Sequence, residues 1–169
     1  QQETTASDTC QLPSKIRLEE YIDTLTVPPT KAFKNGLRDG LGVSITKNGE
    51  VYSGNWSNDK KNGRGYEVHQ NGDFYEGNFI DGWKSGFGKI QEITGTTYEG
   101  NWKQGNKEGQ GNEISKDAVY SGNWQSNLKH GKGKWIFNAG GSYEGNFVKD
   151  NIEGEGLYIY VNKDQYRGN

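Results

Sequence analysis

Few side chains in this sequence are of the types that carry acid–base, nucleophilic or metal chemistry. The two histidines, His69 and His130, lie far apart, and neither has a cysteine or a paired carboxylate at the spacing of metal ligands. Ser53 and Ser121 stand at a repeated position that Glu or Arg fills elsewhere, which is typical of surface residues and not of nucleophiles. The sequence therefore predicts no catalytic residue, no metal site, no cofactor and no small-molecule substrate.

Glycines in Gly-x-Gly pairs could offer a second kind of chemistry, the binding of phosphate. Phosphate-binding loops of the dinucleotide and P-loop types open a helix, whereas these pairs lie in strand-like sequence at a fixed distance after a tyrosine. We therefore interpret them as structural glycines of strands. The pairs are Gly63/Gly65, Gly86/Gly88, Gly109/Gly111, Gly131/Gly133 and Gly154/Gly156.

The composition excludes several classes of protein. Of the 169 residues 30% are hydrophobic, and the mean hydropathy is −1.04, so a thick packed core is not expected. The net charge of −2 lacks the basic excess of nucleic-acid binders, so nucleic acid is not expected as a partner. The single cysteine, Cys10, precludes an intrachain disulfide. Without a secretory signal or an apolar run of about 20 residues, a cytoplasmic protein is expected.

A tandem repeat dominates the sequence. The motif Tyr-x-Gly-Asn-Trp/Phe recurs every 22 or 23 residues from Tyr52 to Tyr143, and Tyr166 begins another copy. Its alternation predicts strands with Tyr, Gly and Trp/Phe on one face and polar residues on the other. Because glycine within a strand permits close approach, we expect the rings to lie over bare glycine backbone. One hairpin cannot offset the entropic cost of its own ordering, so neighbours must stack.

These patterns predict an all-β fold, an elongated single-layer antiparallel sheet of tandem β-hairpins with a short N-terminal helix. Residues 1–13 are predicted to be disordered. Residues 14–28 are predicted to comprise a short amphipathic helix, with Leu18, Tyr21, Ile22 and Leu25 on one face, and its proline stop. The array is predicted to fill 29–169, as a degenerate repeat at 29–51, full repeats at 52–74, 75–97, 98–119, 120–142 and 143–165, and the start of another at 166–169.

The repeated residues resemble the MORN repeat. The segments "YEGNW", a polar loop such as "KQGNKE", and "GQG" keep their register through five full copies, and the resemblance covers residues 33–169. It implies an antiparallel β array that serves as a scaffold, as in axonemal and other cytoskeletal proteins, with no catalytic residues in the repeat itself. It also implies that membrane-lipid binding and dimerisation occur among the relatives.

Three sets of residues are candidates for binding. An aromatic ladder is interpreted mainly as packing and alternatively as a partly open groove for a partner; it comprises Tyr52, Trp56, Tyr75, Phe79, Tyr98, Trp102, Tyr120, Trp124, Tyr143 and Phe147. A strand that is apolar on both faces predicts a partner interface; it comprises Leu157, Tyr158, Ile159, Tyr160 and Val161. A basic group is a candidate contact for an anionic lipid or an acidic peptide, and otherwise a solvated face; it comprises Lys129, Lys132 and Lys134.

Together these features favour a non-enzymatic protein–protein interaction scaffold in a large cytoskeletal assembly, with the axoneme of a cilium or flagellum as the expected location. The expected partners are other proteins of that assembly. Two alternatives stay open, a phosphoinositide-binding module that tethers membranes, and a MORN appendage of an enzyme whose catalytic domain lies outside this segment. Membrane phospholipid is the less favoured partner because the repeats do not supply a contiguous basic face.

Overall fold

The structure, a computed structural model, describes residues 33–169. The predicted disordered segment at 1–13 and the predicted helix at 14–28 lie outside these residues. All regular structure within them is β. The strands are β1 (Phe33–Lys34), β2 (Leu37–Arg38), β3 (Gly40–Ile45), β4 (Val51–Ser57), β5 (Lys60–Val68), β6 (Phe74–Ile80), β7 (Trp83–Gln91), β8 (Thr97–Lys103), β9 (Asn106–Ile114), β10 (Ala118–Gln125), β11 (Leu128–Phe137), β12 (Ser142–Val148), β13 (Asn151–Ile159) and β14 (Gln165–Gly168).

The strands follow the chain without a crossover. Strands β3 to β14 form one open antiparallel sheet of 12 strands in sequence order, while β1 and β2 pair as a small separate ribbon. Each strand of that sheet is therefore hydrogen-bonded only to its neighbours in sequence, as expected of a repeat array. The predicted all-β fold, a long sheet of consecutive hairpins, is confirmed. Among residues 33–169 there is no helix that could cross a bilayer.

The turn inside each repeat is tighter than the sequence suggested. Strands β4 and β5 are joined by Asn58 and Asp59 alone, with φ of 48° and 65°, which is the backbone that a two-residue hairpin requires. The expected polar loop "KQGNKE" is likewise reduced to Gln104 and Gly105 between β8 and β9. The second strand of that repeat therefore begins at Asn106, ahead of the Gly-x-Gly pair. The polar residues that precede the pair can belong to the β-strand because one face of both strands is open to solvent.

A β-bulge follows each of these turns and explains one glycine of every pair. Gly109 adopts a φ of 71°, and the register of β8 with β9 shifts between Gly100 and Trp102. The side chain of Asn101 donates from Nδ2 to the carbonyl oxygen of Gln110 at 3.1 Å, so the carbonyl beside the bulge is hydrogen-bonded. The same contact recurs in the other full repeats. The asparagine of the motif is thus a structural residue.

Candidate functional site

The aromatic ladder is the core of the protein. All ten rings are buried, with exposed fractions between 0% and 7%. They meet edge to face, and Tyr98 lies with its centroid 5.2 Å from both the Trp102 and the Trp124 rings. The alternative of an open aromatic groove is therefore wrong for these ten residues, because their surfaces are filled by one another and by the backbone of the sheet.

Each tyrosine lies across a pair of glycines, as the motif predicted. Tyr98 donates its hydroxyl to the carbonyl oxygen of Asn101 at 2.9 Å, and a Cβ added at Gly100 would come within 2.6 Å of that hydroxyl oxygen. Burial raises the pKa of Tyr75 and of Tyr98 above the ordinary value, and it raises the pKa of Tyr120 to about 12. The face that carries the rings is called the aromatic face below, and the other is the reverse face.

A column of cations closes the aromatic face. Lys107 places its Nζ 4.8 Å from the ring centroids of both Tyr98 and Trp124. Each cation pairs in register with the Trp or Phe of its own hairpin, and the column repeats at the period of the motif. Sequence reasoning missed this signal although it was present in the spacing. The cation column comprises Arg38, Lys61, Lys84, Lys107 and Lys129.

Two glutamates on the aromatic face bind the lysines in pairs. Glu113 accepts from Lys107 at 2.5 Å and from Lys129 at 3.4 Å. Glu67 contacts Lys61 and lies 3.8 Å from Lys84. Because Lys84 is largely buried, desolvation lowers its pKa despite that carboxylate. The charges of the column are thus internally compensated in its central part.

His69 belongs to this charged group. Its Nε2 atom lies 3.3 Å from the Glu67 carboxylate and 3.0 Å from the Lys84 amine. Burial, followed by the nearby Lys84 charge, lowers the pKa of His69. A shallow depression lies beside these residues, bordered also by Glu50, Asp73 and Ile90. Among residues 33–169 no three His, Cys, Asp or Glu side chains are grouped to hold a metal ion.

The three lysines expected to form one basic group lie on two faces. Lys129 places its Nζ over the Tyr120, Trp124 and Trp135 rings, with its side chain only 14% exposed. Lys134 is exposed on the reverse face and pairs across the sheet with Glu144 at 3.2 Å. Lys132, two residues before it on the same strand, lies on the same face. The prediction of a single anion contact is therefore wrong, since alternation along β11 directs Lys129 to the opposite side.

The reverse face has a central row of charges in the middle of the array. Lys89 and Glu99 pair across β7 and β8 with a nitrogen–oxygen distance of 4.0 Å, and Arg64 contacts Glu76 at 2.6 Å. Ser53 occupies this row but is buried, 4% exposed, between Val43 and Tyr66 on the adjacent strands. The interpretation of Ser53 as a surface residue was wrong because its larger neighbours cover it, whereas Ser121 is exposed.

The predicted interface at the C-terminal end is divided between the two faces. Strand β13 ends at Ile159, so Tyr160 and Val161 lie in the following turn and are exposed, rather than buried on both sides of a strand. Tyr158 stacks on Phe137 with a centroid distance of 6.0 Å and contacts Tyr160 at 4.7 Å. Leu157 and Ile159 lie on the reverse face and are half-buried.

The cation column stops where these aromatic residues begin. Ile152 pairs in register with Phe147, as Lys129 does with Trp124, and stands where each earlier full repeat has a lysine. It is 42% exposed. We call the resulting surface the C-terminal patch, and it comprises Phe137, Ile152, Tyr158, Tyr160 and Val161.

Comparisons with known proteins agree with the repeat seen in the sheet. The family model described as "MORN repeat" matches six consecutive segments, at residues 32–51, 52–74, 75–95, 98–117, 120–142 and 143–165. No curated protein matches the chain. One similar solved structure is described as "SAS-4 (dCPAP) TCP domain in complex with a Proline Rich Motif of Ana2 (dSTIL) of Drosophila Melanogaster", with 10% identity, a TM-score of 0.45, and coverage of 78% of this chain and 79% of that one. On the family match, this chain belongs to the MORN-repeat family, whose arrays are generally modules that bind proteins or membranes.

Proposed function

We propose that this chain is a non-enzymatic, protein-binding scaffold of a large cytoskeletal assembly, in the cytoplasm and specifically in the axoneme of a cilium or flagellum. The C-terminal patch is the observation that carries the protein-binding part of this proposal. There the aromatic face is left without its closing lysine, and Ile152, Tyr160 and Val161 are all exposed. The axonemal location rests on the resemblance to MORN-rich cytoskeletal proteins.

The chemistry of the C-terminal patch suits a protein partner. Tyrosine offers a large contact area with few rotatable bonds, so its burial costs little side-chain entropy. The patch lies on a sheet whose strands are all paired, and a rigid surface lowers the cost of association further. Enzymatic activity is not proposed because the acid–base groups of the aromatic face, Glu67, His69 and Lys84, bind one another beside the core.

The observations favour a protein over a lipid headgroup as the partner. A membrane surface contributes about 1 kcal/mol for each basic residue that faces it. Lys129 is held against aromatic rings and Glu113, while Lys132 and Lys134 lie on the other face, so the three cannot meet one membrane together.

A quantitative pull-down with matched variants tests the proposal. The tagged chain is incubated with a native lysate of its source organism, and the recovered proteins are identified by mass spectrometry. We expect stoichiometric recovery of cytoskeletal proteins, reduced at least tenfold by Ile152→Lys and by Tyr160→Asp. The control is Ile80→Lys, which adds the same charge at another exposed apolar position, on the reverse face.

Flotation with phosphoinositide-containing liposomes runs beside the pull-down. Binding to liposomes that salt abolishes, together with no protein whose recovery depends on the C-terminal patch, would replace the scaffold with a membrane-tethering module. Recovery of a cytoskeletal partner that Ile80→Lys reduces as strongly as Ile152→Lys would place the interface elsewhere on the array.

A further inference from the structure

The N-terminal end of the reverse face is apolar and open to solvent. Leu41, Val43 and Ile45 alternate along β3 and are 60%, 45% and 71% exposed. By register, Ile45 lies beside Val51, and Val51 lies beside Val68 on β5. We call this surface the N-terminal patch, and it comprises Leu41, Val43, Ile45, Val51, Tyr66 and Val68.

The N-terminal patch lacks the charges that cover the reverse face farther along. In its central row Val43, Ser53 and Tyr66 stand in register, where the following strands have Glu76, Lys89 and Glu99. The hydroxyl of Ser53 is buried with no hydrogen-bond partner among the described residues. The patch is therefore a surface of three strands with apolar residues in each, of the kind that sheets bury against a second layer.

We propose that the N-terminal segment of this chain, residues 16–25, packs on the N-terminal patch as a helix. The sequence places Leu18, Tyr21, Ile22 and Leu25 on one side of such a helix, with charged residues Glu19, Glu20 and Asp23 between them. A helix of this length is about 15 Å long. Three strands spaced at about 4.8 Å present a face of comparable width, so the two surfaces match in size and in chemistry.

The path of the chain brings the segment to this face. Phe33 pairs with Arg38, immediately before β3, so the chain enters the array beside the strand that carries Leu41, Val43 and Ile45. The connecting residues 26–32 can span up to about 25 Å when extended, which is enough to reverse direction and lay residues 16–25 across the patch. A segment tethered by so short a connection has an effective concentration in the millimolar range, which favours it over a second copy of the chain.

Disulfide trapping on the full chain tests the contact. In a Cys10→Ser background, Ile22→Cys is combined with Val43→Cys, and in the control with Ile136→Cys. Ile136 is a matched control because it is on the reverse face with the same exposed fraction as Val43, 45%, but lies near the other end of the array. Under mild oxidation at low micromolar protein, we expect the intramolecular disulfide with Val43→Cys to form at least tenfold faster than that with Ile136→Cys.

Two outcomes would overturn the proposal. Disulfides between chains that form faster than those within a chain would show that a second copy covers the patch. Equal and slow trapping of both pairs would show that the patch is not covered by residues 16–25 and is free for another protein.

A second measurement is hydrogen exchange of residues 16–25, for which Val43→Asp should reduce amide protection at least tenfold while leaving the exchange of β8 and β9 unchanged. Unchanged protection of residues 16–25 would also count against the contact.

Discussion

The two faces of this sheet are built from the same strands but differ in how strictly they repeat. On the aromatic face every full repeat presents a tyrosine over two glycines and a second ring beside it, and four of the five close the rings with a lysine. On the reverse face the corresponding positions change from Val43 and Ser53 at one end, through Lys89 and Glu99, to Leu157. Repetition is strict where the side chains pack, and it is relaxed where they face solvent.

Because of this difference, the residues that stabilise the array are distinct from the residues that can bind a partner. Interlocked rings leave almost no tolerance for change in volume, so the rings of the aromatic face and the glycines beneath them cannot vary without loss of folding. The reverse face and the ends can vary, and both patches described above arise where charge is absent. In the middle of the array, by contrast, Glu113 and the Lys89–Glu99 pair hold the two faces in a charge-compensated state.

The largest effect is expected from filling the space between a tyrosine and its glycines. In Gly100→Ala the new Cβ would lie 2.5 Å from the Gly111 Cα and 2.7 Å from the Gln110 carbonyl oxygen, and neither backbone atom can move aside. We expect a loss of about 3 kcal/mol in the free energy of unfolding, measured by urea denaturation. In the control, Gly95→Ala, the Cβ meets nothing within 4 Å, and only the φ of 90° is unfavourable, so about 1 kcal/mol is expected. Equal losses in both variants would mean that the tyrosine does not need the bare backbone.

The second largest effect on stability is expected from removing a carboxylate on the aromatic face, and removing one on the reverse face should cost much less. Glu113→Gln leaves Lys107 and Lys129, each with a side chain 14% exposed, without the carboxylate that they share. We expect a loss of about 2 kcal/mol, because poorly solvated cations remain near each other. Glu99→Gln removes a half-exposed pairing with Lys89 and should cost less than about 0.5 kcal/mol. A loss from Glu99→Gln as large as that from Glu113→Gln, measured by urea denaturation at low salt, would contradict the distinction between the faces.

These two faces also differ in how far the sequence predicted them. The period of the tyrosines and their alternation with glycine predicted the sheet of consecutive hairpins, because each is a local property of the chain. The two-residue turns at Asn58–Asp59 were missed, since a polar loop and a tight hairpin have the same composition.

The cation column and its glutamates were missed for a different reason. Strand alternation puts Lys107 and Glu113, six residues apart, on the same face, and they are in contact because the bulge at Gly109 shortens the strand between them. Their closeness in sequence placed Lys129, Lys132 and Lys134 in one basic group, although strand alternation alone separates Lys129 from the other two. Which charges share a face depends on register, so the spacing of lysines should be read against the spacing of the tyrosines.

A smaller effect is expected at alkaline pH, and it distinguishes buried from exposed tyrosines. Burial raises the pKa of Tyr120 to about 12. Between pH 10 and about 12 this phenol ionises in the unfolded chain but stays neutral in the folded one. The stability that it contributes is therefore complete below pH 10 and is lost as the pH rises through this range. We expect Tyr120 to lower the free energy of unfolding by about 1 kcal/mol per pH unit there. In Tyr120→Phe the decline of the urea midpoint above pH 10 should be shallower, whereas in Tyr160→Phe, at an exposed position, it should be unchanged. Identical declines in both variants would show that Tyr120 ionises as freely as an exposed tyrosine.

The smallest effect is expected from extending the cation column across the one full repeat that lacks it. Ile152→Lys places an amine opposite Phe147, as Lys84 lies opposite Phe79. A cation over an aromatic ring contributes about 0.5 to 1 kcal/mol. The new lysine would have no carboxylate beside it, because Trp135 and Tyr158 stand at the repeat position that Glu113 occupies. We therefore expect a gain of about 0.5 kcal/mol in urea denaturation, with Ile80→Lys giving no gain. A protein made slightly more stable by the substitution that weakens partner capture would show that Ile152 is kept for binding and not for folding; a loss of stability would instead assign this isoleucine to the core.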